Sequence, residues 1–216
     1  GVIATAPASA PAVGVAVGNG IAVTANGTAG ITVFDVANPF RPARVAQVNT
    51  PGDAVAVALD GPRVAVADNA AGLTLIDISD PPAARIIRQI NLGSAARAVV
   101  GAAGIVHVGL ASGEVVSVDG ETGVVLHRLS LPARVDDIAL AGDEVHVLTS
   151  AALAVLRWTG ARLEVLGSIN VGGSASPLEI GRKLFVGGGY AYVGYFSGYS
   201  IIDVRNPAAP VLTGSP

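Results

Sequence analysis

The segment Leu73-Thr74-Leu75-Ile76-Asp77 decides the fold, because it recurs along the whole chain. Each copy is a short apolar run that ends at an anchor position, which is Asp in every copy except the fourth. The copies are Ile31-Thr32-Val33-Phe34-Asp35, Leu73-Thr74-Leu75-Ile76-Asp77, Val115-Val116-Ser117-Val118-Asp119, Leu153-Ala154-Val155-Leu156-Arg157 and Tyr199-Ser200-Ile201-Ile202-Asp203. The anchors at positions 35, 77, 119, 157 and 203 are separated by 42, 42, 38 and 46 residues. This regular spacing indicates an internal repeat.

Each repeat contains short strand-like runs separated by turn residues. In the second repeat these runs are residues 54–59, 63–67, 73–78 and 85–90, with Asp, Gly, Asn and Pro between them. Four strands in a unit of about 40 to 45 residues are typical of a β-propeller blade. We therefore predict an all-β chain that forms a β-propeller of five blades, each with four antiparallel strands, in a single domain over residues 1–216.

The composition excludes several classes of protein. Apolar residues make up 51% of the 216 residues, charged residues 13%, and there is no Cys and no Met. Such a chain is not disordered, because disorder needs low hydrophobicity and high charge. Without Cys it has no disulfides, and a net charge of −3 gives no basic footprint for nucleic acid. Sheets that stack and bury both faces explain the apolar content without a transmembrane segment.

The anchor segments resemble the LVIVD repeat, a hydrophobic run that ends in Asp and is followed by Asn/Asp-Pro. Residues 73–81 match best, and residues 31–39 and 201–207 follow closely. The resemblance implies a β-propeller of the kind usually found in bacterial and archaeal cell-surface or secreted proteins, with no shared activity. The third repeat departs from it, because Asp119-Gly120-Glu121-Thr122-Gly123 resembles the Asp-x-x-Thr-Gly turn of quinoprotein-type blades.

The two ends of the chain leave one outer strand too many for five closed blades. Residues 2–5 have the character of a sixth outer strand, and residues 211–213 have the same character. Either the chain is a fragment of a larger propeller, or its first strand completes the last blade and closes the ring. We expect the second arrangement, closed by pairing of the terminal strands. A displaced strand at residues 211–216 would then have a free edge for self-association.

Acidic residues precede the innermost strands of two repeats. Asp53, Asp136 and Asp137 are expected at one mouth of a propeller channel, where they are candidate ligands for Ca²⁺. Arg97 and Arg134 lie nearby in sequence and are candidate ligand-binding residues, or partners of these carboxylates. A salt-bridged rim is the simpler interpretation, and no other cofactor is expected.

Two of the three histidines occupy the same place in successive repeats. His107 and His146 each lie between two valines and align with Ala22 and Ala65 inside the second strand. Aligned histidines on adjacent blades could share a metal, but no third ligand has a recognisable spacing. We therefore interpret both as packed strand residues.

The aromatic residues are concentrated in one segment. All four tyrosines, Tyr190, Tyr192, Tyr195 and Tyr199, fall within ten residues. Tyr195, Phe196 and Tyr199 flank a predicted turn and form a candidate patch for stacking on a glycan or contacting a protein. The alternative is that these rings fill a gap against the irregular fourth blade.

These observations favour a non-enzymatic extracellular or cell-surface propeller that acts as a binding or assembly module, with a protein or glycan partner. The alternative is an enzyme or cofactor-binding propeller that is quinoprotein-like or glycan-active. The chain begins with Gly rather than Met, so we expect a processed chain or a piece of a longer one. Asn26-Gly27-Thr28 forms a glycosylation sequon in a predicted loop.

Overall fold

The computed structural model describes residues 1–171, 182–195 and 198–214. In this part of the chain the strands form five four-stranded sheets, each built from four strands that follow one another in sequence. Neighbouring strands run antiparallel and are joined by short turns. The predicted all-β architecture of five four-stranded sheets is therefore confirmed.

The strand bounds follow the repeat. The first two sheets contain β1 (Gly14–Gly18), β2 (Ile21–Ala25), β3 (Ile31–Asp35), β4 (Ala43–Val48), β5 (Ala56–Asp60), β6 (Arg63–Ala67), β7 (Leu73–Asp77) and β8 (Arg85–Ile90), with a short 3₁₀ turn at Pro81–Ala83. The other sheets contain β9 (Ala96–Ala102), β10 (Ile105–Leu110), β11 (Glu114–Asp119), β12 (Val125–Ser130), β13 (Val135–Ala141), β14 (Glu144–Thr149), β15 (Ala152–Trp158), β16 (Leu163–Asn170), β17 (Lys183–Gly187), β18 (Tyr190–Tyr195), β19 (Gly198–Asp203) and β20 (Val211–Gly214). In every sheet the third strand holds the anchor segment.

The chain folds as two compact units. One comprises Gly1–Val108 with Val118–Val125, and the other comprises Gly109–Ser117 with Leu126–Pro216. The first unit contains the first two sheets, the second unit contains the last two, and the third sheet contributes residues to both. That residues 1–216 form a single domain stays a prediction.

In the first unit, one face of the first sheet packs against the second sheet. Val23 and Val33 are fully buried in a core that they share with Val57 and, at its margin, Leu59. The approach is close, since a Cβ on Gly18 would lie 3.2 Å from the Leu59 Cδ2 atom. Small residues on this side of β1 therefore suit the close packing.

Each anchor carboxylate closes the turn that leaves its strand. The Oδ1 atoms of the anchor Asp residues accept a hydrogen bond from the backbone N–H two residues later, at distances of 2.9 to 3.0 Å. The donors are Ala37, Ser79, Glu121 and Arg205. Backbone donors at Ser79 and Thr122 hold the pKa values of Asp77 and Asp119 below their usual range. These carboxylates are therefore architectural.

A glycine five residues before the anchor allows the chain to enter its third strand. Gly30 and Gly72 have φ angles of 74° and 85°, which side chains with a Cβ rarely adopt. A Cβ at these positions would lie 2.2 Å from the Val48 carbonyl oxygen and 2.3 Å from that of Ile90. Glycine is therefore required here on both conformational and steric grounds.

A buried polar residue follows the second strand in each of the first two repeats. The Asp68 carboxylate accepts hydrogen bonds from the Thr50 and Thr74 hydroxyls, at 2.7 and 3.0 Å, and from the Gly52 N–H at 3.1 Å. Asn26 occupies the same register position and accepts from the Thr32 hydroxyl at 3.0 Å. Both side chains tie the entry segment of a sheet to its third strand.

The sequon at Asn26 belongs to this buried network. The Asn26 side chain is buried, and its Nδ2 atom donates to the Ala10 carbonyl oxygen at 2.7 Å. Its Oδ1 atom also accepts from the Thr24 hydroxyl at 2.8 Å. The amide is therefore engaged by the fold and is not presented as a surface acceptor.

The expected closure through the terminal strands is not observed. Residues 2–5 form no strand, and Val2 and Ile3 are exposed. The position beside β19 is occupied by β20, whose Val211 and Leu212 pair with Asp203 and Ile202. The fourth-strand position of the last sheet is thus filled by β20 and not by residues 2–5, so the prediction of a displaced C-terminal strand was wrong.

The aligned histidines are buried strand residues. Burial lowers the pKa of His107 to about 4 and also lowers the pKa of His146. The His146 Nε2 atom lies 3.4 Å from the Glu144 carboxylate. Among the described residues, no group of three or more His, Cys, Asp or Glu side chains could hold a metal. Both histidines therefore lie where we expected packed strand residues to lie.

Replacement of Asp68 by Ala should destabilise the protein far more than replacement of Asp80. Asp68→Ala leaves the Thr50 and Thr74 hydroxyls and the Gly52 N–H without their acceptor, which costs about 3 kcal/mol of unfolding free energy. Asp80 is exposed and makes no side-chain capping bond, so Asp80→Ala is the matched control. Urea denaturation of the two variants measures the difference, and equal midpoints would contradict the role given to Asp68.

Stability should fall as the pH is lowered from about 6.5 to about 4, because His107 stays neutral in the folded protein while the unfolded chain takes up the proton. The His107→Leu variant keeps the side-chain volume but cannot be protonated. Its urea midpoint should therefore depend less on pH over this range than that of the wild type. An unchanged pH dependence in the variant would show that burial does not disfavour the charged imidazole at this position.

Candidate functional site

An exposed aromatic surface covers one face of the last sheet. Phe185, Tyr192 and Ile201 are direct cross-strand partners on β17, β18 and β19, so their side chains lie on the same face. Tyr199, two residues before Ile201, points to this face as well. The exposed fraction is 67% for Phe185, 39% for Tyr192 and 60% for Tyr199. We call these four residues the aromatic face.

Charged groups lie at the margin of the aromatic face. The Arg205 guanidinium lies over the Tyr190 ring, 5.4 Å from its centroid, and pairs with the Asp203 carboxylate. This ion pair lowers the pKa of Asp203 to about 2. Asp203 and Arg205 also line a shallow depression together with Asn206 and Val211. The aromatic face is therefore an apolar surface with a charged border.

The residues of the aromatic face stand at register positions that, in the first sheet, are packed against the second sheet. By strand register, Phe185 corresponds to Ala16 and Tyr192 to Val23. Val23 is completely buried against the second sheet, whereas Tyr192 is exposed. The last sheet thus presents large rings to solvent where the first sheet packs small residues against a neighbour.

The predicted patch of Tyr195, Phe196 and Tyr199 is not one surface. Gly194 pairs with Tyr199 and Tyr195 pairs with Gly198, so the two tyrosines point to opposite faces of the sheet. Tyr195 packs at the margin of the core of the second unit, which contains Leu184 and Val193. Phe196 lies outside the described residues.

Tyr195 contacts a buried arginine that the sequence analysis missed. The Arg182 guanidinium lies 5.2 Å from the Tyr195 ring centroid, and its Nη1 atom donates to the Thr149 carbonyl oxygen at 3.2 Å. Arg182 also lies 3.7 Å from Asp136, which pairs with Arg134 at 2.9 Å. In the sequence Arg182 stands apart from Asp136 and Tyr195, so only the fold reveals the cluster.

The acidic pair Asp136 and Asp137 is held by cations and backbone N–H groups. The Asp137 carboxylate accepts from the Ile138 and Leu184 N–H groups, each at 3.0 Å, and lies 3.8 Å from the Lys183 Nζ atom. Burial raises the pKa of Asp137 despite these partners. These carboxylates therefore lie beside positively charged side chains, as the interpretation of a salt-bridged rim expects.

The other predicted site residues lie in the first unit. Asp53 is half-buried just before β5, and Arg97 is an exposed residue of β9. Arg134, Asp136, Asp137 and Tyr195 belong to the second unit. Arg134 therefore pairs with Asp136, as expected if the arginines are partners of the carboxylates. Arg182 contacts both Asp136 and the Tyr195 ring, and so connects Tyr195 with this ion pair.

The aromatic face could have been located in part from sequence. The four clustered tyrosines marked the segment, and alternation along Lys183-Leu184-Phe185-Val186 places Phe185 opposite to the buried Leu184. What the alternation does not show is which face a neighbouring sheet covers.

No helix in the described part of the chain is long and apolar enough to cross a bilayer.

Solved structures with similar backbones have low sequence identity to this chain, and they include a β-propeller domain. The designed protein Ika8 has 16% identity and a TM-score of 0.71, with 94% of this chain and 60% of that chain covered. BamB from Moraxella catarrhalis has 16% identity and a TM-score of 0.69, with coverage of 95% and 61%. The Cps50 (Swd1) β-propeller domain from Myceliophteria thermophila has 12% identity and a TM-score of 0.73, with coverage of 94% and 71%.

At such identities the likeness concerns the fold alone, and the chain spans about three fifths of the length of Ika8 and BamB. No curated protein matches the sequence. The family model of the LVIVD repeat matches residues 51–87 and 181–215, which contain the second and fifth anchors. The chain therefore carries the LVIVD repeat that its anchor segments resemble, within a β-propeller fold.

Proposed function

We propose that this chain is a non-enzymatic binding module that works outside the cell or at its surface, and that the aromatic face binds a protein partner. The observation that carries the proposal is the exposure of Phe185, Tyr192 and Tyr199 on one sheet face. Tyrosine and phenylalanine are enriched at protein interfaces, because they supply large contact areas with few rotatable bonds.

The arrangement of polar groups favours a protein partner over a glycan. Phe185 and Ile201 give the aromatic face an apolar centre, while Lys183 and the Asp203–Arg205 pair lie at its border. An apolar centre with a polar rim is the usual anatomy of a protein interface. The charged groups at the rim remain hydrated in the complex, so their desolvation adds little unfavourable free energy to binding.

The third anchor supports a non-enzymatic role. The Asp119 Oδ1 atom accepts hydrogen bonds from the Glu121 N–H and from the N–H and hydroxyl of Thr122, at 2.7 to 3.0 Å. This carboxylate is occupied by its own turn, as at the other anchors. The quinoprotein-like motif is thus explained by local structure, which weakens the cofactor-binding alternative.

The extracellular setting is supported by the LVIVD repeat, which is usual in cell-surface and secreted proteins, and by the lack of oxidisable Cys and Met. Ion pairing at Asp136 and the hydrogen bonds of Asp137 are consistent with a module that binds without a metal.

Peptides selected against the immobilised chain from a random cyclic library should bind the aromatic face. The Phe185→Ser variant removes a central ring and should weaken the binding of these peptides at least about tenfold. Phe40→Ser is the matched control, because Phe40 is equally exposed but lies in the turn after β3. Fluorescence anisotropy of labelled peptides measures both variants.

Equal losses of peptide affinity in the Phe185→Ser and Phe40→Ser variants would contradict specific binding at the aromatic face. A parallel screen of the chain against immobilised glycans tests the alternative partner. Glycan binding that is abolished by Tyr199→Ala but unaffected by Phe185→Ser would overturn the choice of a protein partner. Circular dichroism confirms that each variant is folded.

A further inference from the structure

The first sheet has its own uncovered apolar face. Val13, Val15 and Val17 alternate along the start of the first sheet and point to the same side, and we call them the valine face. Val15 and Val17 are 64% and 67% exposed. No charged side chain occurs on β1 or β2, and on this side of the sheet Arg44 lies only on the outermost strand β4. The valine side chains themselves can therefore be buried without removing a charge of β1 or β2 from water.

The second sheet shows what covers such a face. By strand register, Val15 and Val17 correspond to Val57 and Leu59. Val57 is only 8% exposed, because the first sheet packs on it through the side that carries Ala16 and Val23. In this pair of sheets, the face of the second sheet that carries Val57 and Leu59 is buried against the face of the first sheet that carries Ala16 and Val23.

The last sheet carries the complementary face. The aromatic face occupies the register positions of Ala16 and Val23, which are the positions that cover Val57 and Leu59 in the first unit. Among the described residues, the first sheet thus exposes a face of one type and the last sheet a face of the other type. Both faces are apolar, and each occupies the register positions of one half of the interface between the first and second sheets.

We propose that the aromatic face of one copy binds the valine face of a second copy. This contact pairs the same two types of sheet face as the interface between the first and second sheets, with the rings of Phe185 and Tyr192 in place of Ala16 and Val23. The inference rests on the proposed function, because it names the partner of the same aromatic face. Such a contact joins different surfaces of the two copies, so it is heterologous and adds copies head to tail. Association should therefore continue beyond a dimer as concentration rises.

Sedimentation velocity of the purified chain over a wide dilution series tests the proposal. The wild type should form dimers and larger species at high concentration. Val17→Glu places a charge on the valine face, and Phe185→Arg places one on the aromatic face. Each variant alone should be monomeric, with self-association weakened at least about a hundredfold.

A mixture of the two variants gives the decisive measurement. The Val17→Glu variant keeps its aromatic face and the Phe185→Arg variant keeps its valine face, so one productive contact remains between them. The mixture should form a one-to-one heterodimer that grows no further. If the mixture stays monomeric, or if Val17→Glu alone still associates, the head-to-tail contact is wrong.

Control variants place the same charges on other exposed apolar residues. Val165→Glu lies on β16 and Phe40→Arg lies in a turn, and both should associate as the wild type does. If a glutamate in β1 impairs folding by circular dichroism, Val17→Thr replaces it as a milder polar change. A monomeric wild type at every concentration would overturn the proposal.

The outcomes separate this inference from the proposed function. A monomeric chain whose selected peptides still depend on Phe185 would leave the aromatic face as a binding surface and remove only the second copy as its partner. Heterodimer formation without any Phe185-dependent peptide would instead restrict the face to self-assembly. If neither occurs, both proposals fail.

Discussion

The structure depends on the packing of one sheet face against the next. A four-stranded sheet with two apolar faces cannot bury both by itself, so each repeat needs a neighbour. In the first unit this requirement packs Val23 and Val33 against Val57. Here β1 approaches the second sheet so closely that a Cβ on Gly18 would lie 3.2 Å from the Leu59 Cδ2 atom. The light, Ala- and Gly-rich composition follows from this approach, as does the low content of charge.

Polar side chains in this fold mainly connect elements at the ends of strands. Anchor carboxylates close turns, Asp68 and Asn26 tie sheet entries to third strands, and Arg182 links Asp136 with Thr149. These groups therefore serve the backbone or one another in the fold.

Sequence alone predicted the repeat, the strand order and the anchor turns, because all of these are local and recur at fixed offsets. It could not predict that residues 2–5 form no strand, since an outer strand is defined by its partner rather than by its own residues. The prediction of calcium ligands could not take Arg134 and Lys183 into account, because they reach Asp136 and Asp137 only in the fold. For the tyrosines, alternation assigns faces but does not reveal which face a neighbour covers.

The buried amide of Asn26 has a consequence for biosynthesis. Its nitrogen is shielded and donates to Ala10 once the first sheet has formed, so an oligosaccharide could be attached only to the nascent or unfolded chain. A sugar added at that stage would block the hydrogen bonds to Thr24 and Thr32 and would compete with folding. In a glycosylating host, carbohydrate on this residue would therefore mark molecules that were modified before they folded and that retain a disrupted first sheet.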